Sequence, residues 1–241
     1  MINYKPYGDS GLLIDIGNEI SGEINAKVLA FTNLIESELD SSIIEVIPSY
    51  SSVLILYDSL EIDYDNLKDK VKALENKTST INKSQNRVIH IPTVYGGKYG
   101  EDLKIVAEYN GLTEEEVIDI HSGTLYRVYM LGFTPGFPYL GGMSKKISTP
   151  RKKTPRKQIE KGSVGIGGNQ TGIYSTSSPG GWQIIGRSPL EFFDIKKARS
   201  LINPGDFLKF EPLDEEEYLR LKNLVEKGLY KVKTSVSEDK V

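Results

Sequence analysis

LGFTPGFPYLGGM (Leu131–Met143), KGSVGIGGNQTGIY (Lys161–Tyr174) and SPGGWQIIGR (Ser178–Arg187) are short apolar runs cut every few residues by glycine, proline or serine. Such punctuation leaves no room for long helices. From Tyr126 onward it predicts strands separated by turns, the pattern of a closed or partly closed β-barrel. Within the first run, Pro135 and Pro138 fix φ beside the permissive Gly136, which predicts a rigid, irregular loop. Phe133, Phe137 and Tyr139 recur in that loop and must either bury beneath it or stand as walls of a pocket.

Between these runs, TPRKKTPR (Thr149–Arg156) belongs to a segment crowded with cations: Lys145, Lys146, Arg151, Lys152, Lys153, Arg156 and Lys157. Lysines in such a run are as readily a solvated surface as a site. Arg151 and Arg156 each follow a proline or a Thr-Pro pair, and the guanidinium is a preorganised fork for carboxylate or phosphate. The glycines of Gly165–Gly168 fit neither nucleotide fingerprint: Gln170 stands where a dinucleotide motif needs its last glycine, and no Gly-Lys-Ser/Thr follows as in a P-loop. What remains is a turn presenting Asn169, Gln170 and Thr171, which can orient an amide or carboxylate or cap their own backbone.

Upstream, the pattern changes to alternating strands and amphipathic helices. Leu12–Ile16 reads as a strand, and Ile24, Val28, Phe31 and Ile35 mark one buried helix face. Ile43–Ile47 and Val53–Tyr57 are apolar runs of strand length, and a second helix carries Leu67, Val71 and Leu74 on one side. Asn76–Asn86 (NKTSTINKSQN) lacks periodicity and is the linker candidate. Beyond it, Arg87–Val94 predicts a strand and Glu101–Tyr109 a helix ending at Gly111. Thr113 and Glu116 fit a capping box that opens a helix carrying Val117, Ile118 and His121. Asp214 opens a last helix with Tyr218, Leu221 and Val225 facing inward. The expected organisation is α+β: a small N-terminal α/β domain over residues 1–80, a β-barrel domain over 87–230 and a frayed tail over 231–241.

Composition bounds the function. The chain has 241 residues, with 30 Lys plus Arg against 33 Asp plus Glu and a net charge of −3, so it offers no global basic field for nucleic acid or an anionic membrane. The absence of cysteine excludes disulfides, cysteine nucleophiles and thiolate metal sites. Asp9 and Asp15 interrupt any signal-peptide core, and no segment approaches the apolar length of a membrane span, so a cytoplasmic, soluble chain is expected. His90 and His121 are the only histidines, which excludes a multi-histidine metal centre, and no metal is expected. His90 alternates with Ile89 and Ile91 as a packed or surface strand residue. His121, near a helix end, is read either as a proton-transfer or substrate-bonding group or as a structural cap.

GFTPGFPYLGGM, TPRKKTPR, GSVGIGGNQTGIY and SPGGWQIIGR, followed by LINPGDFLKFEP (Leu201–Pro212), resemble the family of 5-oxoprolinase B subunits, also labelled allophanate hydrolase subunit 1. The resemblance runs from about Tyr4 to Leu224 and implies a cyclophilin-like barrel. It implies a component of an ATP-dependent enzyme that opens the lactam of 5-oxoproline to glutamate, acting with an A subunit and a related, cyclophilin-like C subunit. With no nucleotide motif in this chain, ATP is expected to be held mainly by another component of the enzyme. On this reading His121, Gln170 and Arg156 are the catalytic candidates: a proton-transfer group, an amide partner and an orienter of the substrate carboxylate. Phe133, Pro135, Gly136, Phe137, Tyr139, Leu140, Arg151, Tyr174 and Trp182 are the substrate-binding candidates. The same family includes an inhibitor of a sporulation sensor histidine kinase, so a regulatory protein that binds such a kinase is the alternative.

Overall fold

The computed structural model describes residues 2–38, 41–75 and 87–237. The chain divides into two compact units, Met1–Gln85 and Asn86–Glu238. The linker expected over Asn76–Asn86 lies outside the described residues.

In the first unit, β1 (Asn3–Pro6), β2 (Gly11–Asp15), β3 (Ile43–Pro48) and β4 (Ser52–Tyr57) form an antiparallel sheet in the order β1-β2-β4-β3. Two helices, α1 (Gly22–Glu38) and α2 (Tyr64–Leu74), supply the apolar stripes read from the sequence. Val28, Phe31, Ile35, Leu67, Val71 and Leu74 meet Leu12, Ile14, Val53 and Ile55 in one core. Because strand side chains alternate, β4 buries every second residue and leaves the others half-exposed. Asp63 caps α2 by accepting from the Asn66 N–H at 2.9 Å.

The second unit is built on β5 (Arg87–Tyr95), β6 (Leu125–Leu131), β7 (Pro138–Gly141), β8 (Arg156–Ile159), β9 (Ser163–Gly167), β10 (Gln170–Ile173), β11 (Ser178–Gly180), β12 (Gln183–Arg187), β13 (Phe193–Asp194), β14 (Arg199–Ser200), β15 (Phe207–Leu213) and β16 (Thr234–Val236). Its main sheet runs β10-β9-β12-β5-β15-β6-β7, with β15 parallel to β5 and the other neighbours antiparallel. The two ends of this sheet curl together: a Cβ added at Gly172 of β10 would stand 3.2 Å from the Pro138 carbonyl oxygen of β7. The result is the nearly closed barrel that the turn-rich sequence predicts. Inward-facing Ile89, Ile91, Tyr126, Val128, Val164, Ile166, Leu208 and Phe210 fill it, each such burial contributing about 1.5–3 kcal/mol.

Helices α3 (Leu103–Asn110), α4 (Glu114–Gly123) and α5 (Glu215–Glu226) complete the unit. Gly111 ends α3 in the left-handed conformation at φ 67°, and both halves of the Thr113/Glu116 capping box start α4. The frayed tail expected over 231–241 is corrected over its described part. There β16 pairs antiparallel with the first half of β5, Thr234 opposite Ile89 and Val236 opposite Arg87. All three β16 side chains are exposed, so no apolar alternation announces the strand; its backbone bonds to the open edge of β5 hold it in place.

Candidate functional site

The loop joining β6 to β7 is as rigid as its composition demands. The Gly132 N–H donates to the Phe137 carbonyl at 3.1 Å, the Phe137 N–H to Thr134 O at 3.0 Å, and Ser175 Oγ to Pro135 O at 2.7 Å. Gly136 adopts φ 76° and Phe133 adopts φ 62°, a left-handed conformation that a side chain of this size rarely takes. The strain places the Phe133 ring, 62% exposed, at the rim of a pocket of about 350 Å³.

Phe137 forms the centre of that pocket's wall. It makes edge-to-face contacts with Phe133 and Tyr139 at 5.4 Å and with Tyr174 and Trp182 at 5.6 Å. Gly180 and Gly181 line the pocket beside Trp182, and Pro155 and Pro179 close its sides. Both sequence alternatives for the aromatics therefore hold: Phe137, Tyr174 and Trp182 are buried beneath the loop, and with Phe133 and Tyr139 they wall a pocket. A larger depression of about 630 Å³ in the first unit has mostly polar walls around Asp63, Asn66 and Asp69, and lacks this aromatic frame.

Two cations enter the aromatic pocket. The Arg151 guanidinium stands 5.8 Å from the centre of the Trp182 ring, over its face, with no carboxylate partner among the described residues. Lys152 is instead held by Asp102, Nζ to Oδ1 at 3.0 Å. Asp102 is 2% exposed and also accepts from Arg156 at 2.8 Å and from the Ile184 N–H at 2.7 Å. Burial alone would raise its carboxyl, but the bonds from Arg156, Ile184 and Lys152 outweigh this and hold it below the usual carboxylate range. The pocket's phenol is shifted the other way: burial pushes Tyr174 up, against the opposing pull of the Trp182 backbone, Arg151 and Arg156.

The remaining candidates lie elsewhere. Arg156, expected to orient a substrate carboxylate, is committed to Asp102 and, at 3.4 Å, to Glu101. His121 is fully buried in the barrel. Its Nε2 meets Thr171 Oγ1 at 2.9 Å and its Nδ1 meets the Tyr95 hydroxyl at 2.8 Å. Thr171 Oγ1 gives its own proton to Gly165 O at 3.0 Å, so it accepts from Nε2–H, and Nδ1 accepts from Tyr95. Burial pulls the imidazole down to about 3, so it is neutral near pH 7. The aromatic pocket does not reach it. Gln170 begins β10 in the hairpin with β9 and does not line the pocket either. Leu140 is barrel core, while Pro135 and Gly136 shape the loop from outside the pocket wall.

The turn after β9 joins two antiparallel strands and not a strand to a helix, so it offers no helix N-terminus to a phosphate. Asn169 there accepts from Ser148 Oγ at 2.7 Å, a side-chain bond to a segment 21 residues away and not a cap of its own turn. Among the described residues no group of three or more His, Cys, Asp or Glu is placed to hold a metal ion, and no helix is long and apolar enough to cross a membrane. Asp102 is the principal residue that sequence reasoning missed. It lies at the start of α3, where an acid reads as an N-cap, yet its carboxylate leaves the helix to bind partners more than 45 residues away, which no local signal reveals.

A nearly closed barrel with an aromatic pocket beside its β6–β7 loop places the chain in a known class. Residues 2–202 match the family described as "Carboxyltransferase domain, subdomain C and D". The fold is also that of the urea amidolyase of K. lactis, at TM-score 0.79 and 21% identity over 98% of this chain and 16% of that one. More closely similar are the 5-oxoprolinase B subunit of Bacillus subtilis, 42% identical over 88% of this chain and 92% of its own length, and that of Haemophilus influenzae, 39% identical over 87% and 97%. A conserved protein of Pyrococcus horikoshii, PH0987, is 48% identical over 90% of this chain and all of that one, at TM-score 0.53. The chain belongs to the family of 5-oxoprolinase B subunits.

Proposed function

We propose that this chain is the B subunit of an ATP-dependent 5-oxoprolinase, and that the aromatic pocket binds 5-oxo-L-proline while A and C subunits complete the site. The observation that carries this is Arg151, a cation without a carboxylate partner among the described residues, held over the indole of Trp182 in a pocket walled by rings. A small cyclic amide bearing one carboxylate matches both features: its ring packs against Phe137, Tyr139 and Trp182, and its carboxylate meets the Arg151 fork.

Opening the lactam adds water across a resonance-stabilised C–N bond, so the amide must be held in one orientation while it is activated. Binding and orientation are this chain's share. Lys152 is occupied by Asp102 and His121 lies outside the pocket, which leaves activation by ATP and delivery of water to the partner subunits.

The test is ATP-dependent 5-oxoproline cleavage by A and C subunits with and without this chain, and with Arg151→Ala in its place. We expect cleavage to require the chain and Arg151→Ala to raise KM about tenfold or more, the scale of losing a charge-assisted bond to a carboxylate. Cleavage independent of the chain, with all subunits folded and associated, overturns the proposal and directs attention to binding of a sensor histidine kinase.

A further inference from the structure

Rings and one cation meet a cyclic acid in the aromatic pocket, which leaves the amide of such a ligand without a partner. A lactam carbonyl taken from water into an apolar pocket loses a hydrogen bond, and the protein donor that replaces it decides whether lactams are preferred over other rings. The charged donors are already assigned: Arg151 stands over Trp182 as the fork for a carboxylate, and Lys152 is held by Asp102. Trp182 turns its Nε1 towards Gly167, where an added Cβ would collide with it. A neutral donor in the wall is what remains to be found.

Tyr174 fits that description. It lines the pocket just past β10, and its ring stands edge-on to Phe137 at 5.6 Å and to Trp182 at 6.4 Å, so its neighbours fix its direction. The Trp182 N–H donates to the phenol oxygen, and Arg151 and Arg156 stand close enough for their charge to be felt there. An oxygen that accepts from an amide still has its own proton to give, and no group among the described residues takes it. Burial keeps the phenol protonated near neutral pH, so the donor is present. Gly180 is matched to this hydroxyl: it lines the same pocket, and a Cβ added there would collide with the Tyr174 oxygen.

We propose that Tyr174 reads the amide: its hydroxyl donates to the ring carbonyl oxygen of the bound substrate, so that the pocket selects five-membered lactams bearing a carboxylate over rings of the same size without the carbonyl. The inference rests on the reading that this pocket binds 5-oxoproline, and it adds the group that fixes how the ring is turned. With the carboxylate on Arg151 and the carbonyl on Tyr174, the ring is held at two points and the amide faces one way while the partner subunits act on it.

The experiment measures binding to the assembled enzyme, with ATP withheld, by equilibrium dialysis of labelled 5-oxo-L-proline and of labelled cyclopentanecarboxylate, a ring of the same size that has the carboxylate and lacks the amide. Tyr174→Phe, which removes only the hydroxyl, is expected to weaken 5-oxoproline about tenfold and to leave cyclopentanecarboxylate within about twofold of the parent chain. Arg151→Ala is expected to weaken both. Equal weakening of the two ligands by Tyr174→Phe assigns the phenol to packing alone and overturns the inference, as does unchanged 5-oxoproline affinity in a folded Tyr174→Phe chain; either result leaves Arg151 and the pocket standing. Failure of the pocket reading itself looks different: Arg151→Ala then changes neither ligand, and this inference falls with it.

Discussion

Asp102 shows how much one side chain can gather. Its two oxygens hold Lys152, Arg156 and the Ile184 N–H, so a single buried carboxylate ties the start of α3 to β8, β12 and the segment that carries Arg151. Removing one partner of a buried ion group leaves the others uncompensated. Asp102→Asn is therefore expected to cost roughly 2–4 kcal/mol in urea unfolding, below the full buried-pair value because both cations are partly solvated. The same variant should weaken 5-oxoproline binding in the assembled enzyme, since Lys152 loses its anchor. His121 carries a prediction about pH. Its folded value, about 3, lies below the ordinary value of 6.5, so the unfolded chain binds the extra proton between those limits. This contribution is fully present above about pH 6.5 and is lost as pH falls towards 3, with a slope of up to ~1.4 kcal/mol per pH unit. By NMR the His121 ring should stay neutral throughout the pH 5–8 range; titration near 6.5 in the folded protein would contradict its burial.

Among the elements, the β9–β10 hairpin fixes the pocket floor through the side chain that Gly167 lacks. A Cβ added there would lie 2.5 Å from Trp182 Nε1 and 2.6 Å from Cδ1, and an indole ring cannot yield as the end of a flexible chain does. Gly167→Ala should displace Trp182 at a cost of about 1–3 kcal/mol. Trp182 is the only tryptophan, so its fluorescence reports the change directly, and an emission spectrum identical to that of the parent chain would refute the close approach. Within the glycine run that fits neither nucleotide fingerprint, Gly167 is thus explained by packing against an indole. The basic segment is resolved at this scale too. Three of its cations are drawn apart: Lys152 and Arg156 turn inward to Asp102, while Arg151 turns to Trp182.

At the scale of the whole chain, the C-terminal residues belong to the barrel sheet. The His90 N–H donates to Lys233 O at 3.0 Å, and the imidazole of His90 meets Ser235 Oγ at 2.8 Å. Deleting residues 231–241 uncovers the edge of β5 and should lower the Tm by roughly 5 °C, seen by calorimetry; an unchanged Tm would show that β16 contributes nothing. Much of the architecture is legible in the sequence. The helical stripes at Val28, Phe31 and Ile35, the Thr113/Glu116 capping box and the turn-cut strands after Tyr126 are local patterns, because periodicity and capping depend on neighbours in sequence. The aromatic wall is legible for the same reason, since glycine and proline fix the loop that carries it. What only the tertiary structure decided is which polar residues face which: that His121 is sealed in the core against Thr171 and Tyr95, and that Arg156 serves Asp102 while Arg151 stands over Trp182. Those pairings join residues far apart in the chain, and the free energy of a buried charge or hydrogen bond depends on the partner that folding brings to it.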